Sequence, residues 1–272
     1  MDFTFNNFYD NFDKFIKGPV IDLRKATFCD SWSVGMVCLL AIECKNNLQK
    51  ELLLPVSENV RKYLKRIHLD IFMKEIGYEK FVKELENIGI VERENMNVYE
   101  ITHSLYRDDF NARLTKIRLM FKNFGMSNDD DINRATVLVG ELGNNVFDHN
   151  EGLWPTDIRG AIIIGQNYPQ LKKIEVVIAD PGVGFKRSLQ LRDPNLTDIN
   201  AIKLGLRGIT GRIGEKRGNG LKLVQNWTIN KFNGIVRIHS GNGLVIIDKN
   251  GEQSRIVNNI LGTLASFLVT YK

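Results

Sequence analysis

Glu141, Asn145 and Asp148 stand four and three residues apart in the run Glu141-Leu-Gly-Asn-Asn145-Val-Phe-Asp148-His149. Their surroundings predict a helix. Ser127-Asn-Asp-Asp-Asp131 offers an N-cap and carboxylates for the positive end of the helix dipole. Ile132, Ala135, Val139, Leu142 and Val146 then recur at intervals of three and four, which gathers them on one buried face. At about 100° per residue, Glu141, Asn145 and Asp148 fall within about 60° of one another on the border of that face. One helix thus presents a carboxylate, an amide and a second carboxylate to a single small volume. Mg²⁺ takes oxygen ligands and keeps waters, so the Asn145 amide oxygen suits it as a direct ligand, leaving Glu141 free to take a proton. A helix with its polar residues turned to water has the same spacing, and this segment alone does not separate the two readings.

Two glycine turns follow. Lys173-Ile-Glu-Val-Val-Ile-Ala-Asp180 predicts a central strand that ends at Asp180-Pro-Gly182-Val-Gly184-Phe185. A carboxylate at a strand end can accept a hydrogen bond from an exocyclic amine, and buried acceptors reject ligands that lack the donor. Gly182 and Gly184 let the backbone approach such a ligand, although an aspartate there also serves as a plain turn former. Gly218-Asn-Gly220-Leu221-Lys-Leu223 opens a helix to about residue 232, whose first N–H groups can face phosphate oxygens. It lacks the Gly-Lys-Ser/Thr ending of a Walker A loop. Arg212, Lys216 and Arg217 just before it read as phosphate contacts or as solvated charges.

In this order the three segments resemble the N, G1 and G2 boxes of the GHKL (histidine kinase-like) ATPases, over roughly residues 109–272. The resemblance implies ATP and Mg²⁺ as ligands, Glu141 as general base and Asn145 as metal ligand. It makes Asp180 the adenine reader, supported by Thr263 in Leu261-Gly262-Thr263, and assigns nucleotide contacts to Gly182, Gly184, Gly218, Gly220 and Leu221. Asp148 is either a further nucleotide-site residue or solvent-facing, since families of the superfamily differ there, and His149 reads as a helix-end residue. The implied fold is a two-layer α+β sandwich, a mixed sheet with helices on one face. Ala112-Arg-Leu-Thr-Lys-Ile-Arg118 through the first box looks most like the anti-sigma-factor serine-kinase branch, whereas His103 lacks the phosphoacceptor pattern of histidine kinases. Three function classes follow: an ATPase or protein serine kinase, an ATP-gated interaction switch with little turnover, and an interaction protein with a pocket that no longer binds nucleotide. A protein partner is expected, and a homodimer is admitted.

Charge fits this reading. Residues 186–222 hold nine basic and three acidic side chains, an excess larger than the chain's whole net charge of +5. The excess lies where the family has its phosphate-covering lid, so a triphosphate accounts for it as economically as nucleic acid does. Nucleic acid is therefore not expected. The basic residues and scattered glycines of 186–217 predict a lid that cannot order itself by burying apolar surface.

The remaining composition is that of a globular protein, with 43% hydrophobic and 25% charged residues. Cys29, Cys38 and Cys44 lack metal or disulfide spacing and predict buried thiols in a reducing cytoplasm. The longest apolar run, Val34 to Ile42, is too short to span a bilayer, so no membrane segment is expected.

The N-terminal part alternates strand and helix patterns: strands over 19–24 and 51–55, and helices over 32–44 and 57–67 with Ser57 as N-cap. The run Val20 to Gly35 resembles the strand-turn-helix centre of STAS domains over about forty residues. There the family pattern is Asp-Ser-Ser-Gly with a phosphorylated second serine, but Trp32 occupies that place, flanked by Ser31 and Ser33. These serines read as helix-start residues or as modification sites. The predicted organisation is a STAS-like α/β domain over 1–100 and a GHKL domain over 101–272.

Overall fold

The structure, a computed structural model, describes residues 2–10, 16–79, 82–86, 88–89, 97–150, 152–190, 193–209 and 218–272. In the N-terminal segment, β1 (Asp2–Phe3), α1 (Phe5–Asp10), β2 (Ile16–Lys17), β3 (Val20–Asp22) and β4 (Phe28–Cys29) precede the long helix α2 (Ser31–Asn46). Then come β5 (Glu51–Leu53) and the helices α3 (Glu58–Arg66), α4 (Leu69–Glu75) and α5 (Val82–Glu86). β3 and β5 pair in parallel, which requires the crossover that α2 supplies. The helix over 57–67 forms, but Ser57 makes no side-chain cap hydrogen bond.

The second segment holds β6 (Val98–Ser104), α6 (Arg107–Asn123), α7 (Asp129–Asn150), β7 (Ala161–Tyr168), β8 (Lys173–Asp180), α8 (Gly184–Leu189), α9 (Asp198–Leu206), α10 (Gly220–Asn230), β9 (Ile235–Asp248) and β10 (Gly251–Thr270). The division at 100/101 falls inside β6, which belongs wholly to the larger sheet, so the segment that builds this sheet begins at Val98 or earlier. α7 is capped by Asn128, whose Oδ1 accepts the Asp131 N–H at 3.0 Å, so the carboxylates fill its first turn.

The chain is mixed α+β, and its larger sheet has the order β6-β7-β8-β10-β9. Every adjacent pair in it is antiparallel, which corrects the expected mixed sheet. The reason is topological. The helical crossover from β8 returns as β9 in the same direction, but β10 then folds back as a hairpin and inserts between them.

Alternation along the strands divides their side chains between two faces. Ile163, Val176, Ile178, Ala265, Phe267, Val236 and Ile238 join the core under α6, α7 and α10. Ile162, Ile164, Val177, Ala179 and Leu264 join a different core, shared with α2 of the N-terminal segment. The sheet is therefore covered on both faces, and the expected two layers become three. α2 is buried along nearly its whole length, including Cys38 and Cys44, which explains its lack of an exposed polar face. Burial pushes the Cys44 thiol up to about 11 and the Cys38 thiol higher still.

The contact between α2 and the sheet is close. A Cβ on Gly35 would stand 2.7 Å from Leu264 Cδ1 and 2.9 Å from Val177 Cγ1, so only glycine lets the helix lie this near the strands. Polar groups complete the junction. Ser31 Oγ donates to Glu175 Oε2 at 2.5 Å, while Arg237 and Ser266 donate to Glu175 Oε1 at 2.6 and 3.2 Å. Asp30 caps α2 through the Ser33 N–H and hydroxyl, and its other oxygen accepts the Phe5 N–H. Ser31 and Ser33 are thus fully buried and hydrogen-bonded, which accounts for both as structural residues. Gly35→Val should overpack the α2–sheet layer and lower stability by roughly 1–3 kcal/mol. A urea midpoint equal to that of wild type would refute the close approach.

Candidate functional site

The central polar row of the sheet lies on the face toward α7. Asp180 at the end of β8 is cross-strand from Thr263 on β10, and Thr263 is cross-strand from Ser240 on β9. All three are buried. Ser240 Oγ accepts the Phe185 N–H at 3.0 Å, donates to the Gly262 carbonyl at 3.1 Å and lies 3.2 Å from Thr263 Oγ1. A serine on β9 thereby holds the turn after β8 against the turn that precedes Thr263.

Across from this row, α7 contributes Asn145, His149 and Asn150. Together with Asp180, Gly184, Phe185, Leu221 and Thr263 they line one cavity. Among the described residues that line it, Asp180 is the one carboxylate. Its Oδ1 accepts the Gly182 N–H at 2.9 Å and Asn150 Nδ2 at 3.0 Å, and among the described residues no donor reaches Oδ2. Burial raises its pKa to about 7, against the pull of those two hydrogen bonds. The Asn145 side chain is half-buried, and its Nδ2 has no hydrogen-bond partner among the described residues. Several other buried polar atoms share this condition, among them Trp32 Nε1, Ser104 Oγ and Thr228 Oγ1.

Two glycines bring the segments together. A Cβ on Gly182 would collide with the Asn150 amide, and one on Gly220 would collide with the Glu141 carboxylate. Gly220 thereby sets the start of α10 against the carboxylate of α7. The N-cap residue of α10, Asn219, makes no side-chain hydrogen bond to the first turn, so it does not cap the N–H groups there.

The expected site residues therefore fall into groups. Asn145, Asp180, Gly184, Leu221 and Thr263 line the cavity, Gly182 forms its turn, and Glu141 meets Gly220 beside the α10 start that follows Gly218. Asp148 lies apart, bonded at 2.5 Å to Arg107 at the start of α6. Arg212, Lys216 and Arg217 fall outside the described residues. The described part of the expected lid differs from expectation, since α8 and α9 fold over a small core of Leu189, Leu196 and Ala201. Apolar residues placed between the charges escaped a reading based on net charge.

Sequence reasoning missed Ser240 and Asn150. Ser240 sits among alternating strand residues with no motif around it. Asn150 ends α7, where an asparagine reads as a simple helix stop.

The residues present offer Mg²⁺ the Asn145 amide oxygen, while the orphaned Nδ2 is a hydrogen-bond donor and holds no cation. No group of three or more His, Cys, Asp or Glu that could cage a metal occurs among the described residues, and a magnesium ion shared with phosphates needs only one or two protein ligands. No helix among the described residues is long and apolar enough to cross a membrane. Compared with protein-family models, curated proteins and solved structures, the chain matches none.

Asp180 gives the site a pH signature. Its folded pKa lies above the ordinary 3.8, so between about 4 and 7 the folded protein holds a proton that the unfolded chain has released. The folded state therefore loses stability as pH rises through that window, by about 4 kcal/mol at most, and levels off above it. Asp180→Asn cannot titrate and should lack this decline. Urea midpoints of both proteins from pH 4.5 to 8 test it, and parallel curves would contradict the raised pKa.

Proposed function

We propose that the chain is an Mg-ATP-binding regulatory protein of the GHKL type, with ATPase or protein serine kinase activity. The observation that carries this reading is convergence: three segments 35 or more residues apart in sequence order, at Asn145, Asp180–Gly184 and Leu221, line one cavity, with the Glu141 carboxylate against Gly220 at its edge. In this reading Asp180 Oδ2 accepts the exocyclic amine of adenine, and Thr263 backs it from the neighbouring strand. The first turn of α10 receives phosphate oxygens. The Asn145 amide oxygen would hold Mg²⁺, which would supply charge neutralisation at the phosphates. Glu141 takes the proton of a water or serine hydroxyl as its oxygen forms a bond to the γ-phosphorus and the bond to the ADP oxygen breaks.

A second reading, an ATP-gated interaction switch with little turnover, draws on one observation. Ser240 in the site and His239 beside it face opposite sides of β9, and Tyr9 of α1 hydrogen-bonds His239 Nδ1 at 2.8 Å. Nε2 of His239 lies 3.1 Å from the carbonyls of Gly241 and Asn258, so it carries the proton and Nδ1 accepts from Tyr9. Burial lowers the His239 pKa to about 4, which keeps the ring neutral and this tautomer fixed at physiological pH. The cavity and the N-terminal layer are thus one residue apart along a strand.

The test is incubation with γ-labelled ATP and Mg²⁺, following free phosphate and labelled protein. Glu141→Ala should lower turnover by about 10²–10⁴-fold while keeping nucleotide affinity within about threefold. Asn145→Ala should remove the Mg²⁺-dependent part of binding. Wild-type turnover in Glu141→Ala would place the base elsewhere. Binding without turnover in wild type would select the switch, and a thermal midpoint unmoved by millimolar ATP would end both readings.

A further inference from the structure

Asn150 belongs to none of the three glycine or helix motifs, yet it is almost fully buried and uses its whole amide. Its Oδ1 accepts the Val183 N–H at 2.8 Å, and its Nδ2 donates to the Val146 carbonyl at 2.8 Å and to Asp180 Oδ1 at 3.0 Å. These contacts fix its orientation chemically. The atom facing Val183 N–H has to be the oxygen, so the atom facing Asp180 is the donor. Gly182 N–H donates to the same Asp180 oxygen. The two donors leave Asp180 with one engaged oxygen and one unengaged one, and the carboxylate cannot turn its engaged edge to the cavity without breaking both bonds. The missing side chain of Gly182 is what admits the Asn150 amide at this position.

We propose that Asn150 is a positioning residue for base selection: by pinning Asp180 Oδ1 together with Gly182 N–H, it makes Oδ2 the atom a ligand meets, so the cavity takes a purine with an exocyclic amine facing Asp180 over one with an oxo group there. This rests on the nucleotide reading above and adds to it the residue that sets the polarity of the contact. The pinning has a consequence that a merely structural asparagine does not have. In Asp180→Asn the two donors hold the side-chain oxygen at the Oδ1 position, so the NH₂ group faces the cavity and an acceptor becomes a donor. Base preference then inverts, and it inverts only while Asn150 is present to fix the orientation.

The experiment compares ATP with inosine triphosphate, which carries an oxo group in place of the amine, by calorimetry on wild type, Asp180→Asn, Asn150→Ala and the double variant. Wild type should favour ATP by about tenfold or more, because a buried acceptor without its donor is costly. Asp180→Asn should favour inosine triphosphate, and the double variant should bind the two within about threefold. If Asp180→Asn loses both nucleotides equally, or inverts the preference equally well without Asn150, the positioning role is overturned. A double-mutant cycle on urea midpoints of the nucleotide-free proteins separates this from failure of the nucleotide reading. Non-additivity of Asn150→Ala and Asp180→Ala supports the pinning even where no nucleotide binds, and that result would remove base selection alone. Additivity would remove the pinning itself. Asn150→Ser, which shortens the side chain while keeping a hydroxyl, enters the same cycle if Asn150→Ala fails to fold.

Discussion

Burial of the antiparallel sheet on both faces is the constraint from which the rest follows. A strand covered on one side can turn its polar residues to water, but β8 and residues 260–269 of β10 have no such side, so polar residues there turn to partners within the protein. Two clusters result. Asp180, Thr263 and Ser240 form one against the α7 face, and Glu175, Ser266 and Arg237 form the other against the N-terminal face. A shift of one residue in strand register would exchange the two sets and leave every member unpaired, so register and polar placement enforce one another.

The N-terminal layer is part of this economy and not an appendage to it. Glu175 is fully enclosed, and burial raises its pKa while the Arg237 guanidinium opposes the rise. Ser31 supplies the contact on its second oxygen, from the first residue of α2. Arg237 also stacks over the Phe5 ring, with its guanidinium carbon 4.2 Å from the ring centre, so α1 covers the charge pair from outside. Removing the N-terminal layer would take the Ser31 donor from Glu175 and open an apolar strand face to water.

The alternation of β8, the 3.6-residue period of α7 and the apolar run of α2 were legible because each is a local pattern with one geometric meaning. The antiparallel pairing was not, because it depends on the last strand inserting between two earlier ones, and no local pattern encodes that order. The same distinction runs through the site. Asp180 and the glycines were visible as a strand end and a turn, whereas Ser240 and Asn150 act on partners 55 and 33 residues away and have no local signature. Asp148 shows the converse. Helical spacing places it with Asn145 and Glu141, but Arg107 on the neighbouring helix lies within reach and takes it as an ion-pair partner.

Glu175 and Asp180 occupy one strand five residues apart, both are buried carboxylates, and burial raises both. Their donors distinguish them. Glu175 has protein donors on each oxygen, so its desolvation is offset within the fold and nothing remains for a ligand. Asp180 has both donors on Oδ1, so half of its hydrogen-bonding capacity is left facing a cavity. The fold carries that deficit in the absence of ligand, and a donor arriving from outside recovers it. A saturated carboxylate of this kind is a joint between layers, and a half-saturated one keeps an acceptor that the fold does not use. The difference between the two lies in the placement of a few N–H and O–H groups, not in the identity of the acid or its depth in the protein.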